Sequence, residues 1–319
     1  MSHGASRLVA EPTAVTNDVE AEPALVVAAV TYNSALVIDS FLEALPRALD
    51  GLPSARVFVA DNGSTDDTVA RIRTRAPWVI VRETGGNLGY AAGINCILRE
   101  QLGSKGVLVL NPDAIPNRGF ALRLLAAVDP RAGIVVPRIV DAQGRLKFSL
   151  RREPTLCRAI GEAVLGGHRA ARYARWGDMI RDPAYYVDGA TADWATGAAM
   201  LLSRRVLDDV GLWDESFFLY SEETDYALRA REFGYAVCFV AEAIVMHPGG
   251  EMSRSPFLWS LLVVNRVRLY ARNHGRIATV AYWAVAILNE AAKASLGRAT
   301  HKEALRALLR RSPPALPTS

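Results

Sequence analysis

Four times within its first 114 residues, this chain runs a short apolar stretch straight into a polar, turn-prone loop and then into a helix-forming segment. The first run, Ala24 to Val30 (ALVVAAV), is continuous and rich in β-branched residues. That is the pattern of a strand buried on both faces of a parallel sheet. It leads into Thr31-Tyr32-Asn33, after which Ser34 is placed to cap a helix with Leu36, Val37, Phe41, Leu42 and Leu45 on one side. A second strand, Arg56 to Ala60, ends in Asp61-Asn62-Gly63-Ser64-Thr65-Asp66. There Gly63 supplies the turn, and Ser64 is expected to cap a helix whose early acids, Asp66 and Asp67, suit its N-terminal dipole. A third strand, Val79 to Arg82, meets the loop Gly85-Gly86-Asn87-Leu88-Gly89, followed by a helix carrying Tyr90, Ile94, Ile97 and Leu98. The fourth, Val107 to Leu110, ends in Asn111-Pro112-Asp113-Ala114. Such repeated units predict a parallel, right-handed, doubly wound α/β sheet. Ligands of such sheets gather beyond the carboxyl ends of the strands. Thr31 to Asn33, Asp61, Asn87 and Asp113 are therefore expected to share one crevice. Asp113 is the first candidate for holding a cation or a sugar nucleotide, the alternative being that Asn-Pro-Asp is only a turn.

The middle of the chain is less regular. Ile134 to Val140 and Leu146 to Leu150 flank Asp141-Ala142-Gln143-Gly144 and read as a hairpin. Residues 151–192 have no clean period and read as an insertion or acceptor-facing loop. The pattern resumes with a strand from Ala198 to Leu202 and a helix from Arg204 to Val210, closed by Gly211. Then Glu222, Glu223 and Asp225 place three acids within four residues, which repel unless something cationic or protonated sits among them. Either Ser221 caps a helix running to Phe233 with the acids in its first turn, or one acid projects into the crevice as a base. Strands Ala236 to Val240 and Ile244 to Met246 follow, the second delivering His247 into Pro248-Gly249-Gly250. A lone histidine there suits either a structural or a ligand role.

Composition narrows the class. Half of the 319 residues are hydrophobic, enough for a large core in one or two domains. Cys96, Cys157 and Cys238 lack metal-type spacing and point to a reducing compartment. Met1 to Pro23 has neither a basic start nor an apolar run, so it reads as a disordered tail rather than a signal peptide. The net charge of +4 is uneven: between Arg254 and Arg311, eleven Lys or Arg face two acids, Glu290 and Glu303. That imbalance points to phospholipid headgroups or nucleic acid, or else to a solvated helix face. Leu258, Leu261, Leu262 and Leu269 alternate with Arg266, Arg268 and Arg272, and Leu305, Leu308 and Leu309 oppose Lys302, Arg306 and Arg310, as in basic amphipathic helices. Ile277 to Leu288 is apolar nearly all round but only twelve residues long, and no uninterrupted apolar stretch reaches the ~18 needed to span a bilayer. Pro313-Pro314 and Pro317 end the chain in an unstructured tail.

Taken in order, Val30-Thr31-Tyr32-Asn33-Ser34, DNGSTD at Asp61, the run from Gly86 to Asn95, LNPDA at Leu110, ATGAAMLL at Ala195, FFLYSEETD at Phe217 and His247-Pro248-Gly249-Gly250 resemble glycosyltransferase family 2. The likeness runs from about Ala24 to about His274, and more narrowly resembles the rhamnosyltransferase-type branch that builds bacterial cell-surface polysaccharides. It implies a GT-A fold, a Rossmann-like nucleotide-binding mixed sheet flanked by helices, over residues 24–255. Residues 24–114 would form the nucleotide-sugar half and 115–255 the acceptor half, with basic C-terminal helices over 256–311 and tails at 1–23 and 312–319. The resemblance implies an inverting transferase moving a sugar, L-rhamnose in that branch, from a nucleoside-diphosphate donor to a hydroxyl of a glycan or polyprenyl-diphosphate-linked acceptor. Mg2+ or Mn2+ is the implied cofactor. By the same carry-over, Thr31, Tyr32 and Asn33 would line the nucleotide pocket and Asp61 would meet the nucleobase. Asn87, Gly89 and Asn95 would flank nucleotide and sugar, and Asp113, with His247 near it, would hold metal and diphosphate. Glu223 would be the base, with Glu222 and Asp225 as rivals. Asn111 stands where the family's Asp-x-Asp motif has its first acid, leaving one carboxylate. Together with the basic end, the resemblance implies a cytoplasmic enzyme contacting the inner membrane face, with no nucleic-acid partner. A nucleotidyltransferase is the first rival, though no Gly-rich triphosphate loop follows Val30, and a non-catalytic binding module is the second. A dehydrogenase is disfavoured because no G-x-G-x-x-G follows the first strand.

Overall fold

The computed structural model describes residues 8–16, 22–100, 103–249 and 255–310. Strands β1 (Leu25–Thr31), β2 (Ala55–Asp61), β3 (Ile80–Glu83) and β4 (Gly106–Leu110) are linked by helices α1 (Ile38–Ala48), α2 (Thr68–Arg75) and α3 (Tyr90–Leu98). All four strands are parallel, in the order β3-β2-β1-β4. β1 is buried throughout because alternate residues feed different cores. Leu25, Val27 and Ala29 pack with Phe41, Leu45 and Ile72, whereas Val26, Ala28 and Val30 pack with Ile94 and Ile97 across the sheet. Two covered faces are the physical reason for the unbroken apolar run.

Beyond β4 the sheet becomes mixed. β5 (Ile115–Pro116), α4 (Phe120–Ala126), β6 (Ile134–Val140), β7 (Leu150–Arg151), α5 (Leu156–Leu165) and α6 (Gly167–Ala170) come first in the chain. After them come β8 (Thr191–Ala192), β9 (Trp194–Ala195), β10 (Ala199–Ser203), α7 (Arg204–Val210), α8 (Glu222–Glu232) and β11 (Val237–Met246). The order continues β4-β10-β6-β11-β5, with β10 antiparallel to β4 and β6, and with β6 parallel to β11. The two runs expected at 236–240 and 244–246 form one strand, whose register shifts between Val240 and Ile244 so that both halves stay on β6. The expected hairpin closes only at a Val140–Leu146 bridge. Leu150 and Arg151 pair with β9 instead, since β10 already occupies that edge of β6 at Ile134 and Val135.

Three local expectations are corrected. Ser34 and Ser64 cap no helix: α1 begins at Ile38 and α2 at Thr68, and both serines stitch loops together instead. Residues 8–16 of the expected disordered tail are packed, with Val9 and Ala14 buried. β3 pairs with β2 only from Phe58 onward, which leaves the backbone of Ala55 open on that side. Ala55 N donates to Ala14 O and Thr16 N donates to Ala55 O, so the segment satisfies both groups. The rest of the expected tails (1–7, 17–21 and 311–319), and Gly250, lie outside the described residues.

The C-terminal helices α9 (Pro256–Asn273), α10 (Arg276–Ala294) and α11 (Ala299–Arg310) pack around Val263, Val264, Ala304, Ala307 and Leu308. Buried Glu290 accepts from Trp259 Nε1 at 2.9 Å and lies 2.6 Å from His301 Nδ1, which ties the three helices together. The apolar face of α11 is thus spent inside the bundle. Much of the positive charge on α9 is also internal: Arg266 pairs with Asp178 (2.7 Å) and Glu162 (3.4 Å), and Arg272 with Asp214 and Asp225. No helix of the described residues is long and apolar enough to cross a membrane.

Candidate active site

The polar loops after β1 and β2 are sewn to each other. Asp61, 2 % exposed, accepts from Thr31 Oγ1 (2.8 Å), Ser64 N (2.8 Å) and Ser64 Oγ (2.6 Å). Three of its roughly four lone-pair sites are filled internally, leaving about one open to a further donor. Thr31 is fully buried and braces Asp61, so the exposed ring at this edge is that of Tyr32. Asn33 Oδ1 accepts from Thr65 N at 2.8 Å and Asp66 Oδ2 from Ala35 N at 3.0 Å, fixing the two loops side by side. Asn87 turns back to accept from Gly89 N at 3.3 Å.

Past β4 and β11, two further strand ends meet. His247 Nε2 lies 3.2 Å from Asp113 Oδ1 and 3.5 Å from Asn111 Nδ2. Tyr90, the first residue of α3, donates from its hydroxyl to Asn111 Oδ1 at 2.9 Å. Burial raises the pKa of that phenol far above its usual value, reinforced by the charges of Glu222, Glu223 and Asp113. Glu223 Cβ and Cγ lie 3.5 Å from where a Cβ on Gly197 would stand, and the neighbouring Ala198 O accepts from Asn111 N at 3.0 Å, so the first turn of α8 and the end of β4 converge. Lys147, on the segment after the 141–144 turn, donates to His247 O (3.0 Å) and Pro248 O (2.9 Å), holding the histidine loop down.

The three acids of α8 occupy different surroundings. Asp225 is buried and paired with Arg229 (2.8 Å) and Arg272 (3.3 Å). Both of its oxygens are committed to guanidinium groups, which makes Asp225 a structural tie between α8 and α9. Glu222 is 3 % exposed, with no hydrogen-bond partner for Oε2 among the described residues. Burial and the neighbouring Glu223 push its pKa well up. Glu223 alone of the three retains partial exposure. Burial pushes it up to about 6, opposed by backbone N–H groups of its own turn and by Arg266. Because the pKa of Glu222 is higher folded than unfolded, its contribution to stability is present below the ordinary carboxylate range and is lost as pH rises through the raised value. Glu222→Gln is therefore expected to raise the melting temperature at pH 8 and leave it nearly unchanged at pH 4. An equal shift at both would rule out carboxylate charge as the cause.

The loop that presents these acids has unusual backbone. Phe218, Tyr220 and Ser221 all have positive φ, a conformation costly for residues with a side chain. Asn265 of α9, fully buried, donates to Phe217 O (2.6 Å), Leu219 O (2.9 Å) and Tyr220 O (3.2 Å) and pins the loop. From the other side Tyr90 N donates to Phe218 O at 2.6 Å, and a Cβ on Gly89 would stand 2.5 Å from that same oxygen. Gly89 is therefore required for close approach to this loop. Sequence reasoning missed Asn265, whose signal was a single amide inside the apolar run VVNRV. Asn265→Leu is expected to strip that amide from the three carbonyls, to cost about 1–3 kcal/mol of stability and to lower turnover. Unchanged unfolding and activity would show that the loop holds itself. Asn95, expected beside the sugar, is buried elsewhere: its amide donates to Trp213 O (2.8 Å) and accepts from Trp213 N (2.9 Å). That saturation makes it a tie between α3 and the 213 segment and removes it from the crevice.

A family model described as glycosyl transferase family 2 matches residues 26–211. The chain belongs to this family. The transferase is 34% identical over 235 residues to N-acetylglucosaminyl-diphospho-decaprenol L-rhamnosyltransferase of Mycobacterium tuberculosis, covering 70% of its own length and 75% of that relative. Among solved structures it resembles a mannosyltransferase from Pyrobaculum calidifontis in complex with GDP-Man and Mn2+, with a TM-score of 0.54 at 18% identity over 94% of this chain and 84% of that one. It also resembles GalNAc-T7 with UDP, GalNAc and Mn2+, with a TM-score of 0.55 at 13% identity over 77% and 47%. At such identities the likeness is one of fold, and that fold is the GT-A mixed sheet flanked by helices. The family match spans Asp61 and Asp113 but ends before Glu223 and His247.

Proposed function

We propose that this transferase moves L-rhamnose from a nucleoside-diphosphate donor to a sugar hydroxyl on a polyprenyl-diphosphate-linked acceptor at the cytoplasmic face of the cell membrane. The observation that carries the reading is the convergence of β4 and α8: Tyr90 bonds Asn111, whose N donates to Ala198 O, and Glu223 packs against Gly197 beside it. It implies that a leaving group at Asp113 and a proton acceptor on α8 face the same reacting sugar. The mycobacterial relative's name supports the choice of sugar and acceptor.

Asp113 and His247, one oxygen and one nitrogen donor 3.2 Å apart, fit a divalent cation that takes its other ligands from diphosphate and water, as Mg2+ does. Asn111 is unsuited to replace the missing acid, since its Oδ1 already accepts from Tyr90. When bound, the cation supplies Lewis-acid charge at the departing diphosphate. On the other side Glu223 takes the proton from the acceptor hydroxyl as that oxygen attacks the anomeric carbon, and a single displacement inverts the centre. Tyr32, Asn33 and Asp61 bind the nucleoside end, with Thr31 bracing Asp61 from behind, and Asn87 flanks it.

The test is a panel of nucleoside-diphosphate sugars offered with an N-acetylglucosaminyl-diphospho-prenol of short chain. Transfer of L-rhamnose with release of nucleoside diphosphate is expected. Formation of nucleoside triphosphate and sugar 1-phosphate when pyrophosphate is added would instead mark a nucleotidyltransferase, and binding without turnover a non-catalytic module.

A further inference from the structure

The irregular stretch after α5 and the length of α10 carry a surface that the transfer chemistry does not use. Residues 163–177 contain no acid, and Arg169, Arg172 and Arg175 stand exposed, with no carboxylate partner among the described residues. Among them Val164 (76 %), Tyr173 (59 %) and Trp176 (39 %) expose apolar surface. α5 packs along α10, which carries an exposed apolar stripe of its own. Ile277 (89 %), Val280 (60 %) and Leu288 (69 %), with Ala281 and Ala284 between them, fall within an arc of about 100° on a helix of 3.6 residues per turn. The opposite side of α10 holds its buried residues, Tyr282, Glu290 and Ala294. Arg276 opens the helix, and no acid occurs in the sequence between Glu251 and Glu290.

We infer that this face docks on an anionic lipid bilayer, with the α10 stripe entering the headgroup boundary and the arginines of the 164–176 segment meeting lipid phosphates. Charge complementarity selects the occupant. An isologous contact with a second copy would set Arg169, Arg172 and Arg175 against their own mates with no acid to answer them. Anionic headgroups answer all three, and tyrosine and tryptophan settle at that boundary by virtue of an apolar body and a polar tip. The basic helix α11 offers little apolar surface to such a contact, because Ala304, Ala307 and Leu308 are buried and of its leucines Leu309 alone stands well exposed. The inference rests on the proposed lipid-linked acceptor, which an enzyme seated on the same surface would reach.

Vesicle co-sedimentation of the full chain tests it, using phosphatidylglycerol/phosphatidylcholine mixtures against phosphatidylcholine alone. Wild type is expected to bind the anionic vesicles preferentially. R169Q/R172Q/R175Q should weaken that binding about 100-fold, and I277E/V280E at least about tenfold, with unchanged melting temperatures since all five side chains are exposed. Unchanged binding by both variants, or equal wild-type binding to neutral and anionic vesicles, overturns the docking. So does a wild-type dimer that these substitutions dissociate. A water-soluble short-chain acceptor separates this result from the transfer reading. Both variants should turn it over as wild type does, and impaired turnover there would make the surface part of the active site. If wild type itself fails to glycosylate that acceptor while binding anionic vesicles as expected, the proposed function falls and the docking stands.

Discussion

Glu223→Gln is expected to lower kcat by about 10²–10⁴-fold, the usual contribution of a positioned general base, while leaving calorimetric donor affinity close to wild type. The amide keeps the shape of the side chain but cannot accept the acceptor's proton, and the donor's diphosphate binds on the Asp113 side, so binding and turnover should separate. Glu223 is singled out because Asp225 is held by Arg229 and Arg272 and Glu222 is closed off, its pKa pushed well up by burial. A base pushed up to about 6 must lose its proton before it can act, so wild-type kcat/KM should rise with pH and level off above an inflection near 6. The flat amide variant should lose that inflection. Turnover by Glu223→Gln at the wild-type rate would end the assignment, and an inflection that survives in the variant would move it to another group. Glu223→Asp, one methylene shorter, measures reach: partial recovery would show that the acid's position, and not only its charge, matters.

The sheet was legible because its strands announce themselves twice, by unbroken apolar runs and by the polar loops that end them. Both signals have one cause, a strand covered on both faces whose carboxyl end must turn in a place where polar groups are welcome. β10 betrayed itself equally as an apolar run, yet nothing in five apolar residues says that it lies antiparallel between β4 and β6. Direction is a property of the connections, and the preceding forty residues are too irregular to reveal theirs. The caps failed for a related reason. Ser34 and Ser64 carry the chemistry of helix caps, but loops brought together from different strands offered them better partners. The site shows the same division. Asp113, His247 and Glu223 stood out as polar residues at strand or helix ends, a local signal. Asn265 and Lys147 act across long sequence separations on backbone carbonyls, which no spacing rule records. Asn95 misled for the converse reason: a motif asparagine looks the same whether it faces a ligand or, as here, the backbone of Trp213.

Asp113→Asn is expected to weaken Mn2+-dependent binding of a nucleoside diphosphate by at least about tenfold, read by calorimetry without any turnover. Its effect should be large because the crevice offers so few alternatives. No group of three or more His, Cys, Asp or Glu able to hold a metal occurs among the described residues, so Asp113 brings the only full negative charge to the pair it forms with His247. Asn111, turned toward Tyr90, supplies neither charge nor an uncommitted oxygen. The complementary variant Asn111→Asp should act in the opposite sense. It restores a second carboxylate where Tyr90 can still donate, and it should tighten Mn2+ binding while bringing a third acid into the neighbourhood of Glu222 and Glu223. Tyr90→Phe should leave the Asn111 amide free to rotate its oxygen toward the cation, giving a smaller gain that Asn111→Asp should not compound additively, because both changes act on the same contact. If calorimetry finds Asp113→Asn binding nucleoside diphosphate as tightly as wild type, with and without Mn2+, then the diphosphate is neutralised by other cations. Lys147, whose ammonium donates to His247 O and Pro248 O, becomes the group to substitute next.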